Sequence, residues 1–423
     1  MLLEIFKWTV RVILFGFIGA GMTACTMLGL NYASLEIGNK DTPFPALTAE
    51  FDPAQARSVL EEELYGPWPA QLPISASNSK IIDDNYLDGR GTLEEVMLTI
   101  GAGDTARTFP VVIAYPRQAS VQPVPLIISQ TFADNCSVFP NDPVSRPDGT
   151  ACEGSNMTGV FGLVATQIFG TYIAEAPVER YLDAGIAYAS FDGSSLVPDR
   201  ASVGPAVMAA LEPGPAPTST LMAWAFGYHA AALTFANDPR IHGDAIAAMG
   251  HSRYGKSSLI ATGWSDSVAA AISHQSGFAG AASSRSTTGE RLDRMAKTYP
   301  HWLRPGLAED LEAGLGLTFD QHYLLALSAP KPIFLGNGRR DVWSDPNSTY
   351  RIALAADEIY EAAGVPGLPE GGMQVFEAGA EIAFWLRIGG HSVVSEDIDV
   401  FIAFMSAHFL PSDTFETALQ TAQ

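Results

Sequence analysis

Eight short apolar runs separated by turn residues constrain the fold of this 423-residue chain more than any other feature: "EEVMLTIG", "FPVVIAYP", "VPLIISQTF", "GIAYASFD", "DAIAAMG", "VAAAISHQ", "KPIFLGNG" and "AFWLRIGG". Several are almost continuously hydrophobic, as strands buried on both faces must be. Between the later runs lie helical patterns, "TSTLMAWAFGYHAAALTFAND" (218 to 238), "KSSLIATGWS" and "DIDVFIAFMSAHFL". Strand and helix in alternation predict an α/β fold, a mostly parallel central sheet covered by helices on both faces. Ahead of them, "DPAQARSVLEEELYG" (52 to 66) predicts an opening helix with Asp52 as N-cap, Pro53 at the first helical position and Gly66 as its stop. No internal repeat, low-complexity tract or long linker divides the chain. A single domain over residues 46 to 412 is therefore expected, with a short tail at 413 to 423.

Residues 1 to 25 read as a targeting segment, with Lys7 and Arg11 ahead of an uncharged run that begins "VILFGFIGAG" and reaches "MTAC". Small residues before a cysteine resemble a bacterial lipoprotein processing site, which would make Cys25 a lipidated N-terminus. Two alternatives stand beside it: a retained single-span anchor, since residues 12 to 30 are uncharged and long enough to cross a bilayer, and a buried structural helix. Residues 26 to 45 would be a tether. The expected location is thus outside the cytoplasm, periplasmic or attached to the cell envelope through the N-terminus. In that compartment Cys136 and Cys152, in a polar loop, are expected to pair as a disulfide. Lys and Arg number 24 against 46 Asp and Glu, a net charge of −22, and such a field repels nucleic acid. The chain is expected to act as a monomer.

"GHSRYGKS" (250 to 257) satisfies two patterns with different chemistries. As G-x-x-x-x-G-K-[ST] it would cradle phosphate with backbone N–H groups and Lys256. As G-x-S it would be a nucleophile elbow, with Ser252 exposed on a strand-to-helix turn. The bulky His251, Arg253 and Tyr254 fill positions a phosphate loop keeps small. The neighbouring strand "VAAAIS" ends without the Asp that holds Mg²⁺ in NTPases, and an exported protein meets little ATP. The elbow is the stronger reading.

An elbow demands an acid and then a histidine later in the chain, each following a strand. Of the five histidines beyond Ser252, His391 alone follows a predicted strand, through the Gly-Gly turn of "FWLRIGGHS". Asp341, after "KPIFLGNGRR", stands one strand earlier. This predicts Ser252 as nucleophile, His391 as general base and then acid, and Asp341 as the group that holds the imidazole. Asp345 is the reserve acid.

The elbow departs from G-x-S-x-G, because its second glycine, Gly255, stands three residues after Ser252. With "GHSRYGK", the set "ISHQSGFAGAASSR", "GE", "YPHW", "DQHYLLALSAPKP", "DVWSDP" and "GGH" resembles the glucuronoyl esterases of carbohydrate esterase family 15, from about "LEEELYG" to "FIAFMSAHFL". That resemblance implies the three-layer αβα sandwich of the α/β-hydrolases and a Ser-His-Asp esterase. The implied substrates are uronic acid esters, above all 4-O-methyl-glucuronoyl esters joining xylan to lignin alcohols. It also implies that Arg253 completes the oxyanion hole, that Lys256 and Glu290 bind sugar hydroxyls and that Trp343 lines the sugar subsite. No metal or cofactor is implied.

Two departures are visible. Where some members carry a catalytic glutamate in "ESG", this chain has Gln275 in "QSG", and "GHSVV" differs from the commoner "GHD". Two rival readings remain open at this point. One is a carboxylesterase or acetylesterase acting on other acyl groups; the other, kept open by Gln275, is a carbohydrate-binding homologue with impaired catalysis.

Overall fold

Asp52 behaves as its position predicts. Its carboxylate accepts hydrogen bonds from the backbone N–H of Ala54 at 2.9 Å and of Gln55 at 3.4 Å, and α1 (Pro53–Leu60) follows. The helix widens into a π-turn over Glu61–Tyr65 and stops at Gly66, whose φ of 76° suits a residue without a Cβ. The computed structural model describes residues 47, 50–139, 142–146, 148, 150, 152, 169–173, 175–214 and 218–411. The expected targeting segment with Cys25, the tether and the terminal tail lie outside the described residues. No helix among the described residues is long and apolar enough to cross a membrane.

All eight apolar runs are strands, and two short polar strands precede them. In chain order they are β1 (Ile74–Ala76), β2 (Lys80–Asn85), β3 (Gly91–Ile100), β4 (Arg107–Pro116), β5 (Val124–Thr131), β6 (Ala187–Asp192), β7 (Ile241–His251), β8 (Ala270–His274), β9 (Ile333–Gly338) and β10 (Ile382–Arg387). They form one sheet in the order β1-β3-β4-β6-β5-β7-β8-β9-β10, with β2 pairing the free part of β3. Pairing is antiparallel from β1 to the β4–β6 junction and parallel from β6 through β10.

The helices that carry the argument are α2 (Val178–Asp183), α3 (Gly204–Leu211), α4 (Thr220–Phe235), α5 (Arg253–Trp264), α6 (Leu292–Thr298), α7 (Pro346–Ala362) and α8 (Ser395–Phe409). Each strand sends alternate residues to opposite faces. Leu126 and Ile128 of β5 join the core that contains α1, α4, α5 and α7, whereas Ile127 joins the core under α2 and α8; Ile333 and Leu335 against Phe334 repeat the division in β9. Every residue of β5, β8 and β9 is buried, which explains their largely apolar sequences. Each buried Leu, Ile or Phe contributes about 1.5–3 kcal/mol relative to exposure. The result is the three-layer αβα sandwich of the α/β-hydrolase fold.

Past β5, Cys136 and Cys152 are joined in a disulfide with Cα atoms 5.5 Å apart. The register of the parallel strands matters most for function. His251 lies beside His274, His274 beside Gly336, and Gly338 beside Arg387, so the chain leaves β7, β8, β9 and β10 along one edge of the sheet. The carboxyl edge of a parallel sheet is where such folds place their sites.

Candidate active site

Ser252 occupies the sharp turn between β7 and α5, with φ 56° and ψ −122°, a conformation that L-residues rarely adopt. Its N–H donates to His274 O at 2.8 Å. Glycine is required on both sides. A Cβ on Gly250 would lie 2.2 Å from Tyr254 carbonyl atoms, and one on Gly255 would meet Gly250 O at 3.0 Å and His274 O at 3.2 Å. The second glycine therefore sits at the third position after the serine because that is where the helix start passes the neighbouring strand.

His391 follows β10 through Gly389 and Gly390. Its Nδ1 lies 2.7 Å from Asp341 Oδ2, and Asp341 Oδ1 accepts from the backbone N–H of Ser344 at 3.2 Å. Burial alone would raise the Asp341 carboxyl; the charge and hydrogen bond of His391 and the bonds from Ser344 outweigh it and hold the group below the ordinary carboxylate value. Ser344 Oγ also lies 3.3 Å from His391 Nδ1 while donating to Gln275 O at 3.2 Å. Among the described residues, Ser252 Oγ and His391 Nε2 share no hydrogen bond; in unliganded enzymes this contact is often long and closes around substrate.

Behind His391 stand two more histidines. The His251 ring packs on the His391 ring with centroids 4.5 Å apart, and His251 Nδ1 lies 2.9 Å from His274 Nδ1. Burial, reinforced by His391, His274 and Arg387, pushes the His251 imidazole well below its ordinary value, so this ring is neutral. Farther back, Arg387 Nε donates to both Asp397 oxygens at 2.9 Å, and Asp397 Oδ1 is 3.3 Å from His274 Nε2.

In front of the elbow, a cleft is lined by Ser252, Arg253, Lys256, Gln275, Glu290 and Trp343, together with Tyr299 and Trp302. It brings together all the sugar-facing residues expected from the sequence. Lys256 Nζ is buried and donates to Ser276 O at 2.5 Å and Phe278 O at 2.6 Å. Burial pushes its pKa down to about 8, with Glu290 opposing the shift and Arg253 adding to it. An ammonium has three N–H donors, so one remains for a ligand. Glu290 is anchored by its N–H to Trp343 O at 3.0 Å, and burial raises its carboxyl although Lys256 pulls it back. Trp343 is 44% exposed at the rim, with the Arg294 guanidinium 5.4 Å from its ring centre.

Arg253 is held rather than free. Its Nη1 pairs with Asp199, and the same carboxylate accepts from His301 Nε2 at 2.8 Å and Trp302 Nε1 at 2.7 Å. Its guanidinium lies 5.2 Å from the Phe132 ring centre and 5.4 Å from that of Trp302. Burial, then the Arg253 charge, lowers His301 to about 4, so it donates to Asp199 as a neutral imidazole. Asp199 is the functional neighbour that sequence reading missed; the "PDR" turn that carries it has no motif to announce it.

The reserve acid is corrected. Asp345 accepts from Ser348 N at 3.2 Å as N-cap of α7 and receives the Ser286 hydroxyl, while the imidazole is held by Asp341. The departure at "GHS" also has its explanation: Ser392 Oγ accepts from Arg387 at 2.8 Å, and the carboxylate that answers Arg387 comes from Asp397 on α8. Among the described residues no cluster of His, Cys, Asp and Glu has metal-binding geometry.

The family model for fungal glucuronyl esterases matches residues 162–364. "Carbohydrate esterase MZ0003", from an unknown prokaryotic organism, is 27% identical over 367 residues, 84% of this chain and 83% of that one. A "4-O-methyl-glucuronoyl methylesterase" of Phanerochaete carnosa is 26% identical over 260 residues, 58% of this chain and 64% of its own. Among solved structures, a promiscuous CE15 esterase from a marine bacterial metagenome superposes with a TM-score of 0.74 at 24% identity, covering 87% of this chain and 98% of that one.

Proposed function

We propose that the chain is a carboxylic ester hydrolase of the carbohydrate esterase family 15 kind, and that it hydrolyses uronic acid esters, with 4-O-methyl-glucuronoyl esters of lignin alcohols on xylan as its substrates. The observation that carries this reading is one cleft that holds a serine on a nucleophile elbow, a buried cation and carboxylate, Lys256 and Glu290, and an exposed Trp343. An indole suits the apolar face of a sugar ring, and the charged pair suits its hydroxyls.

The chemistry follows from the positions. Ser252 Oγ attacks the ester carbonyl while His391 Nε2 takes its proton, and Asp341 stabilises the imidazolium that forms at Nδ1. The carbonyl oxygen becomes an anion facing the Arg253 backbone N–H and guanidinium. Collapse breaks the bond to the alcohol, which leaves with the proton from His391 and leaves the uronyl group on Ser252. Water, deprotonated by His391, then releases the uronic acid and restores the serine. Gln275, an amide, has no part in the charge balance.

Within the same proposal, the protein is exported and held at the cell envelope through its N-terminus, with lipid on Cys25. The domain of residues 46 to 412 acts as a monomer on polysaccharide outside the cell. The sequence pattern at residues 1 to 25 supports this placement.

Hydrolysis of benzyl glucuronate beside p-nitrophenyl acetate, with Ser252→Ala as control, tests the reading. The uronate ester should show the clearly higher kcat/KM, and Ser252→Ala should be inactive with an unchanged melting temperature. Cleavage of the acetate alone would keep the esterase and discard the substrate.

A further inference from the structure

We propose that Gln275 is a positioning residue that holds the His391 loop by pairing with backbone on both sides of the imidazole, and that a carboxylate at this position would loosen the loop instead of serving as an acid. The inference rests on the triad reading above and concerns what aims His391. Gln275 leaves the end of β8 with φ 50°, and its own N–H is fixed to Gly336 O at 2.8 Å. Its side chain, 1% exposed, reaches across to the next loop. Nε2 donates to Gly390 O at 2.8 Å, and Oε1 accepts from Ser392 N at 3.0 Å. One residue lies between those two contacts, and it is His391.

The orientation of the amide is unambiguous, because a carbonyl oxygen needs a donor and a backbone N–H needs an acceptor. Arg387 Nη2 completes the clamp from β10 by donating to Ser392 O at 2.5 Å and Gly390 O at 3.2 Å. The loop therefore has side chains from two strands holding its backbone, while Asp341 holds its imidazole. An ionised glutamate in place of Gln275 would keep the bond from Ser392 N but set an anionic oxygen against Gly390 O. It would also add a second buried negative charge close to Asp341. A protonated glutamate is different. Its carbonyl and its O–H reproduce the acceptor and donor of the amide.

This makes Gln275→Glu diagnostic. Ser252 is labelled with a fluorophosphonate probe, in which Oγ attacks phosphorus, fluoride departs and His391 takes the proton; the rate reports the aim of His391 without any uronate ester. Labelling should slow on the order of 10- to 100-fold in Gln275→Ala, and in Gln275→Glu near pH 8, the scale expected when a reacting group is misplaced by about an ångström. The ratio of Gln275→Glu to wild-type rate should rise as the pH falls from 8 to 5, because protonation restores the clamp. In Asp341→Asn, adding Gln275→Glu should bring no recovery. A ratio that stays flat or rises with pH, a Gln275→Ala rate equal to wild type, or recovery in the double variant would each overturn the proposal. Labelling of the wild type without cleavage of benzyl glucuronate would reject the substrate reading alone and leave this test intact.

Discussion

The two walls that meet at Ser252 are built on opposite electrostatic plans. The wall proposed to face the sugar carries ionisable groups: Lys256 and Glu290, both buried, and the half-buried pair of Arg253 with Asp199. The wall behind His391 is neutral at His251 and Gln275, with Asp341 on the imidazole and the Arg387–Asp397 pair farther back. The difference suits what the proposed function asks of each wall. A sugar hydroxyl brings no charge, so fixed charges strengthen its hydrogen bonds. In the proposed mechanism His391 acquires and loses a proton in every cycle, and a neutral His251 and Gln275 beside it let one carboxylate set that charge.

The comparison breaks most visibly at Asp341. Asp341→Asn should lower kcat by about 10⁴-fold, the scale of the same change in a well-studied triad. Asp345→Asn, at the helix cap, should cost about 1 kcal/mol of stability or less and leave kcat near wild type. Steady-state kinetics beside thermal melts separates the two, and equal losses would mean that the acid has been placed wrongly.

On the charged wall, Asp199→Asn should lower kcat about 10- to 100-fold with KM little changed, because the carboxylate aims Arg253 and is not among the residues lining the cleft. A change in KM alone would make Asp199 part of the sugar subsite.

The smallest effect is a titration. The Lys256 pKa is pushed down to about 8, so Nζ is cationic below that pH and neutral above it. A neutral amine retains two N–H groups for Ser276 O and Phe278 O and loses the one left for substrate. KM for benzyl glucuronate should therefore rise about tenfold between pH 7 and 9.5, the scale of one charged hydrogen bond, and Lys256→Met should remove the rise. A pH-independent KM in the wild type would contradict the role given to this lysine.

Legibility in the sequence followed burial. Strands β3 to β10 are visible because residues buried on two faces must be apolar, whereas β1 and β2 lie at the exposed end of the sheet and carry no long apolar run. Ser252, Asp341 and His391 could be proposed because an elbow fixes their order and each follows a strand. Asp345 was tempting only while its neighbour was ignored: Asp followed by Pro346 is a helix start, and α7 begins there. Asp199 and Gln275 were beyond reach for a different reason. Asp199 meets Arg253 across 54 residues, and Gln275 meets Gly390 across 115, so no local pattern records either contact.

The central claim is a covalent uronyl intermediate on Ser252, and partitioning tests it directly. Methyl and benzyl glucuronate are hydrolysed in the presence of ethanol, and ethyl glucuronate and free glucuronic acid are measured together. A shared acyl-enzyme predicts the same product ratio from both esters and no product from Ser252→Ala. A ratio that changes with the leaving alcohol would mean that no common intermediate forms, and would contradict the account.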